Sequence, residues 1–471
     1  MIETATVVCI ALAMLVPQSL RVAGLTPFDV AIYGTITAYY ARAFFRPRAA
    51  TRIDPLHLSL FALLLSNIAA YFLTVDDFCA QESFIYFTTE QDWTKTNVTA
   101  LFVRVAIWGL ARLILIFAAL DLGRTMGRSR RYTHAAITVF LAAGSLNALI
   151  SLYGWYRETH GALARYNFLP LIEGGQGSHM DRMLLTFAIA LGIWLRGLRS
   201  EATTRFRMLA VMFLTLASIT TVFVRQGWVL LIVITFLVVV MTWGSIPLRL
   251  RLRALLLAVL LVGAGAAFVI SRADQLRDLF VNVSEPGARD IVIRTTLIRR
   301  AFQVFLEHPW VGVGYGEYFA YSTVPAAVTN IDVYVGSAHN GAMMVLAEMG
   351  VVGTVCFAIM AFSILRRARQ ACLRSADDFT RGATTAVLAF LVVSFLVHFI
   401  GNSAFLPIPQ ERVAAENAFL LWLLIGVSAG IAEVNEVRRA KPAKRKFWLA
   451  RSLAGRRRIA TITTAGARAP L

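Results

Sequence analysis

The chain has 471 residues, 58% of them hydrophobic, and a formal net charge of +19. That apolar share exceeds the roughly 45–50% of a soluble domain, and the charges gather in short runs between apolar segments of spanning length, which argues against a soluble multidomain protein. In a polytopic membrane protein a basic excess reflects arginine-rich loops, so the charge predicts topology and no nucleic-acid partner.

Apolar segments of about 17–23 residues can cross the hydrocarbon core with modest tilt. They fall near 3–20, 28–45, 56–74, 99–121, 133–154, 181–196, 208–224, 227–246, 254–271, 342–364, 383–400 and 416–434. The first lacks a preceding basic residue and a clear small-x-small cleavage site, so it reads as a retained helix rather than a signal peptide. Twelve spans predict one all-α bundle with both termini on the same side. Alternate loops, "RPRAATR", "GRTMGRSRRY", "RGLRSEATTRFR", "RLRLR" and "RRARQACLR", carry the basic residues, as does the tail. That face is therefore expected to be cytoplasmic. The layout is nine spans in 1–271, a large external loop in 272–341, three spans in 342–434 and a basic tail in 435–471 that anchors topology beside membrane lipids. Cys9, Cys79, Cys356 and Cys372 fall in a helix, an acidic loop, a helix and a basic loop, so neither a disulfide framework nor a metal site is expected of them.

Positive charge is sparse outside a membrane, yet the external loop holds Arg272, Arg277, Arg289, Arg294, Arg299 and Arg300, and Arg225 lies in the tight turn "FVRQGW". Guanidinium forks placed against the topology rule suit an anion such as phosphate. Arg104 and Arg112 fall inside the fourth span, where an unpaired charge costs about 2.5–3.5 kcal/mol, so both should face the bundle interior. The plainer alternatives are interfacial anchoring for Arg225, snorkelling for Arg104 and a buried pair for Arg112. Helical spacing along "ARDIVIRTTLIRRAFQVFLEHP" scatters its arginines over several faces, so one or two bind and the rest form a solvated face.

The run "VGVGYGEY" has glycines at 312, 314 and 316 but neither the lysine of a P-loop nor a Rossmann context, so close backbone approach or positive φ in a turn covering the outer mouth is its expected purpose. His308 should close the amphipathic helix before it, and His160 and His179 should be solvent-exposed. His339, in "GSAHNG" where the chain re-enters the membrane, can take a proton from an arriving hydroxyl, although a helix cap is the plainer reading. Asn340 beside it has the character of a cap. Glu348, placed in the span, can pair with a bundle arginine.

The ordered set Arg294, Leu297, Ala301, Pro309, Gly312, Gly314, His339, Asn340, Leu346, Glu348 and Gly350 resembles the shared segment of the O-antigen ligase and O-antigen polymerase superfamily. The resemblance covers about 60 residues. Arg225 stands where members carry an arginine before a later span, although Val224 and Ile298 depart from the family's serine and tryptophan. What the resemblance implies is a GT-C-like, inverting, metal-independent membrane glycosyltransferase without cofactor, with a large periplasmic loop containing short helices. Its donor would be an undecaprenyl-pyrophosphate-linked glycan and its acceptor a lipid A core oligosaccharide. His339 would be the base, Arg225 and Arg294 the diphosphate ligands, Arg289 and Arg104 weaker candidates, and Asn340 a supporting residue. The polymerase pattern of arginine, ten residues and glycine is missing from the external arginines in 155–182 and 272–300, which favours a ligase over a polymerase. A lipid-linked oligosaccharide transporter is the rival from another class, but the two halves show no matching broken helices.

Overall fold

The computed structural model describes residues 2–15, 26–45, 54–79, 84–88, 92–96, 98–160, 175–197, 202–222, 225–246, 248, 251, 284–318, 323–324, 333–334, 340–375, 377–398 and 418–434. Most of them are helical: α1 (Ile2–Leu15), α2 (Pro27–Phe45), α3 (Pro55–Cys79), α4 (Val98–Gly127), α5 (Arg130–Thr159), α6 (Gly175–Arg196), α7 (Ala202–Val222) and α8 (Arg225–Thr242). They continue as α9 (Ser284–Glu307), α10 (Gly341–Arg374), α11 (Asp378–Val393) with a π turn at Ser394–His398, and α12 (Ala418–Val434). Helices α1 to α8 fall on the first eight expected spans and α10 to α12 on the last three. The ninth, 254–271, and the tail 435–471 lie outside the described residues.

Among the described residues five helices are long and apolar enough to cross a membrane, within α3, α5, α7, α10 and α11, and α1, α8 and α12 are shorter apolar helices. Phe61, Phe72, Phe213, Ile232, Phe236 and Phe362 stand exposed on them. A row of large apolar side chains with nothing over it is a surface suited to lipid. Two small antiparallel pairs depart from an all-α chain: β1 (Phe84–Thr88) with β2 (Asp92–Thr96), and β3 (Thr323–Val324) with β4 (Val333–Tyr334). Both fall in expected external loops, where aromatic and β-branched residues favour strands, and β1 lies against β4. Helix α3 also runs beyond its expected span to Cys79, and α10 takes in the basic run and Cys372.

Glycine sets the closest helix contacts. Gly123 and Gly127 on α4 meet Gly426 and Gly430 on α12 so closely that a Cβ on any of the four would collide with the partner backbone, and Gly192 on α6 meets Gly382 on α11 in the same way. Lipid offers no hydrophobic gain for joining apolar helices, so this backbone approach supplies dispersion contacts that larger residues would prevent. Gly426→Leu is expected to cost about 1–3 kcal/mol by overpacking, read as earlier thermal unfolding in detergent. Gly34→Leu, at a glycine with open space around it, is expected to leave the transition in place.

At the end of the bundle bearing the arginine-rich loops, an ion network joins four helices. Asp54, just before α3, accepts from Arg367 of α10 at 2.8 Å and lies 4.0 Å from Arg124 of α4. Arg124 also pairs with Glu433 of α12, which Arg128 holds at 2.9 Å, and His57 meets Asp121 at 2.8 Å. Asp54 is buried between two guanidinium groups, so Asp54→Ala is expected to destabilise by about 3–5 kcal/mol. Arg130→Ala, removing an exposed partner of Asp377, should cost at most about 1 kcal/mol. Equal shifts in the two unfolding curves would contradict the structural weight given to Asp54.

Candidate functional site

Helix α9 is amphipathic, and Leu297, Ala301 and Val304, one turn apart, form its buried stripe. It packs on α10. In the helix Arg294 comes one turn before Leu297, and Arg289, five residues before Arg294, is set about 140° around the helix from it. Arg299 is exposed and Arg300 bonds Glu307 at 3.2 Å, which makes this part of the arginine set the expected solvated face. The helix ends at His308, whose N–H donates to Val304 O at 2.9 Å and whose carbonyl accepts from Gly312 N at 3.1 Å.

The chain then enters the bundle. Helix α10 is broken at Gly350, with φ 59° and ψ −163°, and the break would leave the carbonyls of Ala347 and Glu348 and the amides of Val351 and Val352 without partners. The glycine loop supplies all four. Val351 N donates to Pro309 O at 2.8 Å and Val352 N to Trp310 O at 3.0 Å, while Val313 N donates to Ala347 O at 3.1 Å and Gly314 N to Glu348 O at 2.9 Å. In apolar surroundings an orphaned backbone group costs several kcal/mol, so loop and break stabilise each other.

Glycine is required on both sides of this joint. Gly312, Gly314 and Gly316 have φ of 70°, 99° and 94°, values that L side chains rarely adopt. A Cβ on Gly312 would strike the Glu348 backbone, and one on Gly314 the Tyr71 ring. Positive φ and close approach were expected here. The position is a correction: this stretch does not lie over the mouth as a cover, because the helix break gives it backbone partners inside the bundle. Tyr315 and Tyr318 are among the largest fully buried side chains.

A polar stripe on α3 holds the loop from the other side. Asn67 Oδ1 accepts from Tyr315 N at 2.8 Å, Tyr71 OH donates to Tyr315 O at 2.5 Å, and Thr74 Oγ1 donates to Val313 O at 3.2 Å. Tyr318 OH donates to Leu297 O of α9 at 2.8 Å. The Glu348 carboxylate accepts the backbone amides of Gly316 and Tyr318, and Arg112 of α4 lies within its electrostatic reach and that of Tyr315. Glu317, between those two amides, is fully buried, and neither of its carboxyl oxygens has a hydrogen-bond partner among the described residues. Burial first, and the neighbouring Glu348 second, push the Glu317 carboxyl well above the usual carboxylate range.

Asn340 is the N-cap of α10, its Oδ1 accepting from Met343 N at 3.0 Å. His339 lies outside the described residues. Arg225 opens α8, Arg289 and Arg294 lie in α9, and Arg104 lies in α4; the side chains of these four are outside the described residues. Sequence reading missed the Asn67, Tyr71 and Thr74 stripe, although its i, i+4, i+7 spacing in an otherwise apolar span is a legible signal. It also placed His179 in solvent. Instead α6 begins at Gly175, and His179 is buried with Nε2 2.8 Å from Ser218 Oγ of α7. His160 is exposed as expected. Among the described residues no cluster of His, Cys, Asp or Glu gathers as metal ligands.

Fold and site together define a helical polytopic membrane protein in which a glycine loop completes a broken helix below a capped helix start. Residues 209–358 match the family model described as O-antigen ligase, so this part of the chain is similar to the domain of O-antigen ligases and polymerases, whose members are membrane glycosyltransferase-like enzymes. The match covers about a third of the chain and takes in Arg225, α9, the glycine loop, His339 and the break in α10. A search of curated proteins finds no match.

Proposed function

We propose that the protein is an O-antigen ligase of the bacterial inner membrane, moving a glycan from undecaprenyl pyrophosphate to a hydroxyl of lipid A core on the periplasmic side. The observation that carries this reading is the matched segment, in which α10, capped by Asn340, packs against the arginine-bearing α9, with His339 preceding that cap in the sequence. His339 accepts the proton of the acceptor hydroxyl as its oxygen bonds the anomeric carbon. The bond from that carbon to the pyrophosphate oxygen breaks, its electron pair leaves with the diphosphate, and the centre inverts. Arg225 and Arg294 stabilise the leaving charge, with Arg289 and Arg104 as secondary candidates. The cytoplasmic side is assigned to the arginine-rich end, and no metal is required.

The test supplies purified protein with lipid-linked glycan, with and without lipid A core, in the presence of chelator. Glycosylated core is the expected product. Chain extension without core would make the protein a polymerase, the reading that shares its family, and loss of transfer on chelation would remove the metal-free mechanism. A transporter would yield no covalent product in detergent.

A further inference from the structure

The joint between the glycine loop and α10 holds two carboxyl groups. Glu348 is clamped by the amides on either side of Glu317, one of its own oxygens is left without a partner, and both Glu317 oxygens are without partners among the described residues. Among the described residues, the titratable and charged groups facing the pair are Tyr71 from α3, Arg112 from α4, Tyr315 and Tyr318 from the loop itself, and Arg300 from α9 beside Tyr318. Among the described residues, Arg112 is the cation that acts on Glu348. A charge on Glu317 would be buried without a hydrogen-bond partner among the described residues.

We propose that the loop docks with Glu317 uncharged and that the proton on this buried, unpartnered carboxyl latches the glycine loop into the break of α10, making Glu317 a positioning residue for the helix start at Asn340. Glu317 then stays neutral, and Glu348 keeps its hold on the amides of Gly316 and Tyr318. Removing the proton leaves on Glu317 a buried charge with no hydrogen-bond partner among the described residues and in the field of Glu348, which pushes the loop out of the break. Because the Glu317 carboxyl is raised in the folded protein, its contribution to stability is full below the ordinary carboxylate range, about 4.3, and is lost as pH climbs through its folded value. The loop therefore loosens on the alkaline side. The link to glycan transfer rests on the proposed ligase reading; the latch itself does not.

The test is amide hydrogen exchange at Val313, Gly314, Gly316 and Tyr318 in the full detergent-solubilised chain, corrected for intrinsic rates, from about pH 6 to about pH 9, where buried glutamates titrate. Wild-type protection is expected to fall at least about tenfold across that range, the equivalent of one unit of proton linkage. In Glu317→Gln, which cannot ionise, protection should vary little with pH, while Glu307→Gln, at an exposed carboxylate, should follow the wild type. Flat wild-type protection, or an unchanged slope in Glu317→Gln, would overturn the proposal. If Glu317→Gln does not fold, the wild-type slope against the Glu307→Gln control still decides. Transfer measured on the same samples separates the two readings: a pH-dependent loop with no transfer defeats the ligase and leaves the latch, and transfer with flat protection does the reverse.

Discussion

His339→Ala is expected to lower glycan transfer by roughly 10²–10⁴-fold, the usual worth of a positioned general base, while the variant still binds the lipid-pyrophosphate donor. Arg225→Ala and Arg294→Ala should instead weaken donor binding along with turnover, because their charge meets the diphosphate before as well as during bond breaking. The structure supplies a control next door. Asn340 Oδ1 is already committed to Met343 N at 3.0 Å, so Asn340→Ala should cost about 0.5–2 kcal/mol of stability and Asn340→Asp, which keeps the cap, much less. Full activity in His339→Ala would end the base assignment, and a fall in activity matched by an equal loss of folded protein would show a structural histidine.

The bundle was legible because membrane spans are written in the plainest code a sequence has. Long apolar runs and alternating basic loops located α1 to α8 and α10 to α12. The joint was not, because its logic lies in the backbone. The family resemblance singles out Gly350 and not Gly353, but nothing in "LAEMGVVG" says that the helix breaks there, and only the conformation of Gly350 reveals it. The expectation that positive φ and close approach explain Gly312, Gly314 and Gly316 held, but a sequence could not say what approached them. His179 was misplaced because "GQGSHM" is polar enough to pass for a loop, whereas Ser218 gives the imidazole a partner inside the bundle. Arg112, a charge expected within a span, lies within electrostatic reach of Glu348 and Tyr315.

The same features weigh between enzyme and transporter. A rocking transporter needs paired discontinuous helices and an end free to open. Among the described helices α10 alone is recorded with non-helical backbone inside it, and its break is filled by the chain's own loop rather than left to face a cavity. At the arginine-rich end, the Asp54 network ties α3, α4, α10 and α12 together, and the Gly123 to Gly430 contacts lock α4 to α12. Such a body is suited to holding groups still at its opposite end.

Gly350→Ala should be among the most damaging single-methyl changes in the chain. Its φ of 59° and ψ of −163° lie in a region essentially confined to glycine, which costs a side chain about 1–3 kcal/mol. The added Cβ would come to 2.5 Å from the Trp310 carbonyl and 2.6 Å from Gly312 N, so the loop must move. Once it moves, Ala347, Glu348, Val351 and Val352 lose their backbone partners, each worth about 1–3 kcal/mol where water cannot substitute. Together these approach the whole stability of a typical domain, about 5–15 kcal/mol. The expected readout is loss of a monodisperse peak and of cooperative unfolding in detergent. Gly312→Ala reaches the same joint from the loop side, its Cβ meeting the Glu348 backbone. Both changes eject one loop, so in a background stable enough to measure them their costs should be far from additive, the double variant losing little beyond the worse single. Additive losses would mean that the two glycines serve separate contacts, and a wild-type transition in Gly350→Ala would mean that the joint does not hold α10 in place.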